Sequence, residues 1–210
     1  MKTLKCFLVL FAFVGITFVG CSDESQSPVS SIQKGSLEKN IIHNFTMTDY
    51  PIPLELYPWP VDPGVIKYLP NGNIQYKKRG ILEVITSDDP LLAGIMEHYL
   101  STMIDGETGN GAVHGSFTTT PNDPTVGGVW EGTYVGYRSY VGYQEVDFPF
   151  GPPDGEYYIW TLPLKLEAHG KGGLIDKMQM FMTATLTIYG AYANYPEPMF
   201  WMGNGSGFYK

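Results

Sequence analysis

The chain has 210 residues, 21 acidic against 13 basic side chains, a formal net charge of −8 and 43% hydrophobic residues. That length holds one domain with a full core. The acidic balance disfavours nucleic acid and anionic lipid surfaces, so no nucleic-acid partner is expected, and few charges with much Gly, Tyr, Thr and Pro suit strands and turns better than helices.

Lys2 and Lys5 open the chain, and 6–19 is apolar or small apart from the hydroxyl of Thr17. This run is shorter than the roughly 20 residues a membrane-crossing helix needs and has the proportions of a secretory signal peptide. It ends in Phe18-Val19-Gly20-Cys21. That ending resembles the lipobox of bacterial lipoproteins, although Phe18 stands where Leu is usual. The resemblance implies cleavage between Gly20 and Cys21 and a lipid on the Cys21 thiol, so the expected partner is a membrane, reached through an N-terminal lipid anchor. Cys6 lies in the leader, which leaves Cys21 without a partner for an internal disulfide, a Cys-based zinc site or Cys–His catalysis. A plain secreted chain with an incidental cysteine, or an uncleaved anchor, is the alternative.

Residues 21–40 are polar and Ser-rich and read as a flexible tether. Ser22 after the cysteine resembles lipoproteins sent to the outer membrane, and Asp23-Glu24 resembles a surface-export signal. The leader removes two lysines and no acids, so the mature charge is −10 (21 acids against 11 bases). Residues 41–210 form the expected single domain.

Within 50–70, Pro51, Pro53, Pro58, Pro60, Pro63 and Pro70 forbid a regular helix or central strand. An extended segment is predicted, either packed on the body through Tyr57 and Trp59 or exposed as an arm for a partner. Strands follow. In "NGNIQYKKRGILEVITS" a turn signal is followed by alternation, with Ile81, Glu83 and Ile85 opposing Leu82, Val84 and Thr86. "GAVHGSFTTTP" is short and Thr-rich. "GGVWEGTYVGYRSYVGYQ" sets Trp130, Gly132, Tyr134, Gly136, Arg138 and Tyr140 against Glu131, Thr133, Val135, Tyr137 and Ser139. The next two runs put Tyr158, Trp160, Leu162, Leu164, Leu166 and Ala168 on one face, then Met178, Met180, Met182, Ala184, Leu186 and Ile188. Period-two patterning between Gly and Pro breaks predicts an antiparallel sheet with one buried face, and long strands in a chain this size close into a barrel. Over 91–104 the spacing of Leu92, Ile95, Met96, Tyr99, Leu100 and Met103 instead predicts a helix, with Asp89 as N-cap and Pro90 at the first position.

"LEVITSDDPLLAG", "GGVWEGTYVGYRSYVG" and "LEAHGKGGLIDKMQMFMTATLT" together resemble uncharacterised bacterial proteins with an allene oxide cyclase-like barrel. This is a calycin-like, eight-stranded, closed antiparallel sheet, and the likeness spans most of 74–190. It implies that 91–104 is a strand, and that reading is taken over the helix. Plant cyclases of this fold steer a reactive epoxide in a hydrophobic cavity with an acidic group and a bound water. None of their catalytic residues aligns here, so the resemblance carries no activity and leaves the catalytic residues unknown.

His43, His98, His114 and His169 have no metal-ligand spacing and read as surface or loop residues. No cofactor or metal is expected. "AHGKGG" lacks the frame of a phosphate loop, and "DGETGNG" lacks calcium-loop spacing and reads as a hairpin loop. "HGSF" is not a nucleophile elbow. Glu131 and Glu167 share strand faces with Thr, Lys and His, which points them to solvent. Trp130, Tyr134, Arg138, Tyr140 and Trp160 are the candidate ligand-binding residues. If their face is inward, Arg138 near a barrel mouth can hold an anionic group; otherwise it snorkels over exposed tyrosines. The expected role is a lipid-anchored envelope barrel, more binder than enzyme, taking a small apolar ligand or an envelope partner. An isomerase or cyclase with an acid inside the barrel, and a structural protein with a filled barrel, are the rivals.

Overall fold

The computed structural model describes residues 41–51, 61–148, 154–190 and 200–210. The leader, Gly20 and Cys21, the tether, Tyr57 and Trp59 lie outside them. Among the described residues nine strands run in chain order: β1 His43–Pro51, β2 Val65–Tyr68, β3 Ile74–Ser87, β4 Gly94–Ile104, β5 Gly111–Pro121, β6 Val129–Val146, β7 Gly155–Lys171, β8 Gln179–Gly190 and β9 Phe200–Tyr209. They form one antiparallel sheet in the order β1-β9-β8-β7-β6-β5-β4-β3-β2, and β1 also pairs with β3, so the sheet closes in a ring. Short β2 pairs, among the described residues, with β3 only and lies outside the closed circuit. Among the described residues the only helical element is a 3-10 turn, Gly173–Ile175.

Alternation sets the inside of the ring. On β7, Trp160, Leu162, Leu164, Leu166 and Ala168 are buried, and on β8 Met180, Met182, Ala184, Leu186 and Ile188 face them. The outward partners, Lys165, Glu167 and His169, are exposed. On β6 the inward set is Trp130, Tyr134 and Arg138, with glycines between. A Cβ at Gly132 would collide with the carbonyl of Glu167 and come 2.6 Å from the Phe117 ring. That glycine lets a neighbouring strand and an inner aromatic ring approach.

The helix suggested by the spacing in 91–104 does not form. Asp89 does act as a cap: its Oδ1 accepts from Leu91 N–H at 2.9 Å, and its carbonyl accepts from Leu92 and Ala93. The turn stops there because β4 finds two neighbours, β3 and β5, over its full length. Ladder bonds and burial of Met96 and His98 outweigh a local helical spacing that would have left one face unpartnered.

One irregularity shapes the interior. The β3–β4 register shifts between Tyr76 and Arg79, and Lys78 sits at φ 54°. This bulge puts two residues outward in succession, so both Tyr76 and Arg79 turn inward. The Lys77-Lys78-Arg79 cluster is therefore split, with two exposed lysines and a buried arginine.

Candidate functional site

The ring encloses a cavity of about 80 Å³ lined by residues of β1 and β3–β9, mostly Met, Leu, Ile and Val. Four polar side chains interrupt this apolar wall: Asp49, Glu83, His98 and Tyr134, exposed by only 7, 3, 7 and 5%. Each occupies an inward position by simple alternation. Asp49 follows Phe45 and Met47 on β1, Glu83 lies between Ile81 and Ile85, and His98 follows Met96.

These groups form a chain. Tyr134 Oη and His98 Nδ1 are 2.7 Å apart. With the proton of His98 on Nε2, Tyr134 donates to Nδ1, and Nε2 faces Glu83 Oε1 at 3.2 Å. That approach is at ion-pair distance but too oblique for a hydrogen bond. Glu83 is hydrogen-bonded on its other side to Asp49. Burial, then the charge of Glu83 and the bond to it, holds the Asp49 carboxyl well above the usual carboxylate range. Two adjacent carboxyls in an apolar chamber cannot both ionise cheaply, which favours the protonated form of Asp49. Burial likewise raises the Tyr134 phenol well above its ordinary value, with Glu83 and Asp49 adding to the effect, and keeps it a donor. Asp49 Oδ1 is buried on the cavity wall, and Glu83 is the partner of this carboxyl.

The five residues singled out from the sequence separate into four groups. Tyr134 lines the cavity. Trp130 and Trp160 are fully buried, and their indole N–H groups bond to the carbonyls of Leu91 (2.9 Å) and Thr108 (2.8 Å). They pack the ring beneath two loops. Arg138 is buried over the Trp160 ring at 4.1 Å. Tyr140, 40% exposed, is at the rim with its ring centroid 5.8 Å from that of Trp160.

Arg138 thus faces inward rather than snorkelling over exposed tyrosines. Glu131 and Glu167 point outward as expected, and Glu131 pairs with Lys171. His98 departs from the expectation for the histidines, since the β4 alternation buries it. His114 and His169 are exposed. The DGETGNG segment is the β4–β5 hairpin loop, where Asp105 Oδ1 accepts from Glu107 N–H, Thr108 N–H and the Thr108 hydroxyl.

Asp49, Glu83 and His98 were not candidates from the sequence. The signal for Glu83 was present, since a carboxylate between two isoleucines on one strand face is either inward or wasteful of both. Among the described residues no helix is long and apolar enough to cross a membrane, and no His, Cys, Asp and Glu group has a metal-binding arrangement. Comparison with protein-family models, with curated proteins and with solved structures found no match to this chain.

Proposed function

We propose that this is a lipid-anchored cell-envelope protein, held at the outer membrane through Cys21 and facing the periplasm or the surface. Its body is read as a closed eight-stranded barrel of the allene oxide cyclase-like, calycin-like kind, and its interior takes a small, mainly apolar ligand bearing one hydrogen-bond donor. The observation that carries the binding reading is a mainly apolar cavity of about 80 Å³ whose wall is interrupted by the Asp49 and Glu83 carboxyls, acceptors for a ligand hydroxyl or amine. The volume sets the scale: liquid water occupies roughly 30 Å³ per molecule and an engineered cavity of about 150 Å³ holds benzene, so the ligand part seated here has a handful of heavy atoms.

Native mass spectrometry of the full protein taken from its own cells tests this. The expected result is a bound small molecule that is absent from Asp49→Leu. An empty wild-type protein would leave the structural, filled barrel as the reading. For the anchor, Cys21→Ser is expected to block both processing and incorporation of labelled fatty acid. Label still entering that variant would defeat the assignment.

A second reading has its own support. Asp49 kept as an acid beside Glu83, with His98 and Tyr134 in line, places a proton donor and an acceptor in one water-poor chamber. That is what an isomerase or cyclase would use. Under this reading Glu83→Gln retains the co-purifying molecule but no longer converts it.

A further inference from the structure

We propose that Arg138 anchors a second binding site, for an oxyanion, at the Trp160 end of the ring. This site stands apart from the Asp49–Tyr134 chain and does not depend on it. Arg138 is the inward residue of β6 that follows Tyr134 and Gly136, and it is 6% exposed. A guanidinium offers five N–H donors around a plane and no acceptor. One face of that plane is covered by Trp160. Nε is buried without a hydrogen-bond partner, and no carboxylate among the described residues pairs with the group. The described ion pairs are Glu83–His98, Glu131–Lys171 and Asp176–Lys177, none of which involves it.

Burial pushes the guanidinium down to about 10, so it is still a cation at neutral pH. A buried cation without a counter-charge is a costly arrangement. The contact with Trp160 offsets part of that cost, but it uses the face of the plane and leaves the Nε–H unanswered. A carboxylate or phosphate matches a guanidinium edge in charge and in its paired oxygens. The aromatic wall of Trp160 and Tyr140 favours an oxyanion carried on an apolar body.

Titration calorimetry of the purified full chain at constant ionic strength tests the proposal with three probes: benzoate, benzyl alcohol and inorganic phosphate. Benzoate is expected to bind at least tenfold more tightly than benzyl alcohol. Phosphate binding as tightly as benzoate would identify a free oxyanion as the ligand chemistry, and weaker phosphate binding would identify a carboxylate on an apolar body. Arg138→Gln should lower the oxyanion affinity at least tenfold, while Asp49→Leu leaves it unchanged. Should Arg138→Gln fail to fold, Arg138→Lys keeps the charge but not the planar fork and is expected to weaken benzoate at least threefold. The proposal is overturned if neither oxyanion binds, or if either Arg138 variant binds them as the wild type does.

Discussion

Trp130→Ala is expected to cost about 3–5 kcal/mol of folding stability, the range for emptying a large aromatic from a packed core. Trp130 has no exposed surface, and its ring lies 5.8 Å from that of Tyr209 on the last strand. Its N–H holds the Leu91 carbonyl in the turn before β4. Truncation therefore opens a void, leaves a partly buried carbonyl unanswered and loosens the turn that ends in β4. Tyr209 also reaches that turn, donating its hydroxyl to Asp89 Oδ2 at 2.8 Å. Trp130→Phe keeps much of the volume and loses the hydrogen bond, so a cost of about 1–2 kcal/mol is expected. Urea unfolding of the three proteins measures the ordering. A Trp130→Ala midpoint within error of the wild type would show that this residue does not seal the ring.

Asp49→Asn is expected to stabilise the protein, and to do so increasingly as the pH rises. The folded state holds the Asp49 carboxyl well above its ordinary value, chiefly through burial and secondly through the charge of Glu83. A raised carboxyl binds its proton more tightly in the folded state than in the unfolded chain. Its contribution is therefore complete at pH below the ordinary carboxylate range and is lost as the pH climbs towards the folded value. Asparagine keeps the shape and a donor for Glu83 but has no proton to lose. The two proteins should unfold at similar denaturant concentrations near pH 4. They should separate by about 1–3 kcal/mol at pH 8, the scale of a buried polar group poorly compensated. A constant gap across this range would mean that Asp49 does not titrate differently in the two states. Asp88, Asp105 and Asp123 shift the opposite way, because hydrogen bonds from Thr46, Thr108 and Thr125 respectively favour their charged forms. Their contribution is lost in acid, which is why the comparison is made between variants and not from one pH profile.

The strands that pattern reasoning reads well are those whose inner residues are large. β7 and β8 repeat Leu, Met and Ile on alternate positions, and no other arrangement buries those side chains together. β9 carries no such signal. Its inward positions are Trp201, Gly203, Gly205, Gly207 and Tyr209, and the three glycines are there because their neighbours need the space. A Cβ at Gly203 would strike the Leu186 side chain, and one at Gly207 would meet the Phe181 carbonyl. Such a strand is specified by the strands beside it and reads as a loop when taken alone.

The polar chain in the cavity was hidden for a related reason. Asp49 and Glu83 are far apart in sequence and meet only because β1 and β3 are joined at the seam, where Asp49 is opposite Ile85 and Pro51 opposite Glu83. Arg138 was visible as an odd charge among aromatic residues. The bulge that buries Arg79 was not, because Lys77 and Lys78 look like any solvated basic stretch.

The seam itself has a consequence for biosynthesis. β1 is flanked by β9 on one side and β3 on the other, so the first of the described strands to leave the ribosome waits for the last of them before both of its edges are satisfied. Until then β8 and β1 each present a row of unmet amides and carbonyls, the template on which chains stick to one another. Completion is an end-to-end event with a large loop entropy behind it, and it is expected to be slow. A chain cut short by even its final strand would be left with two sticky margins.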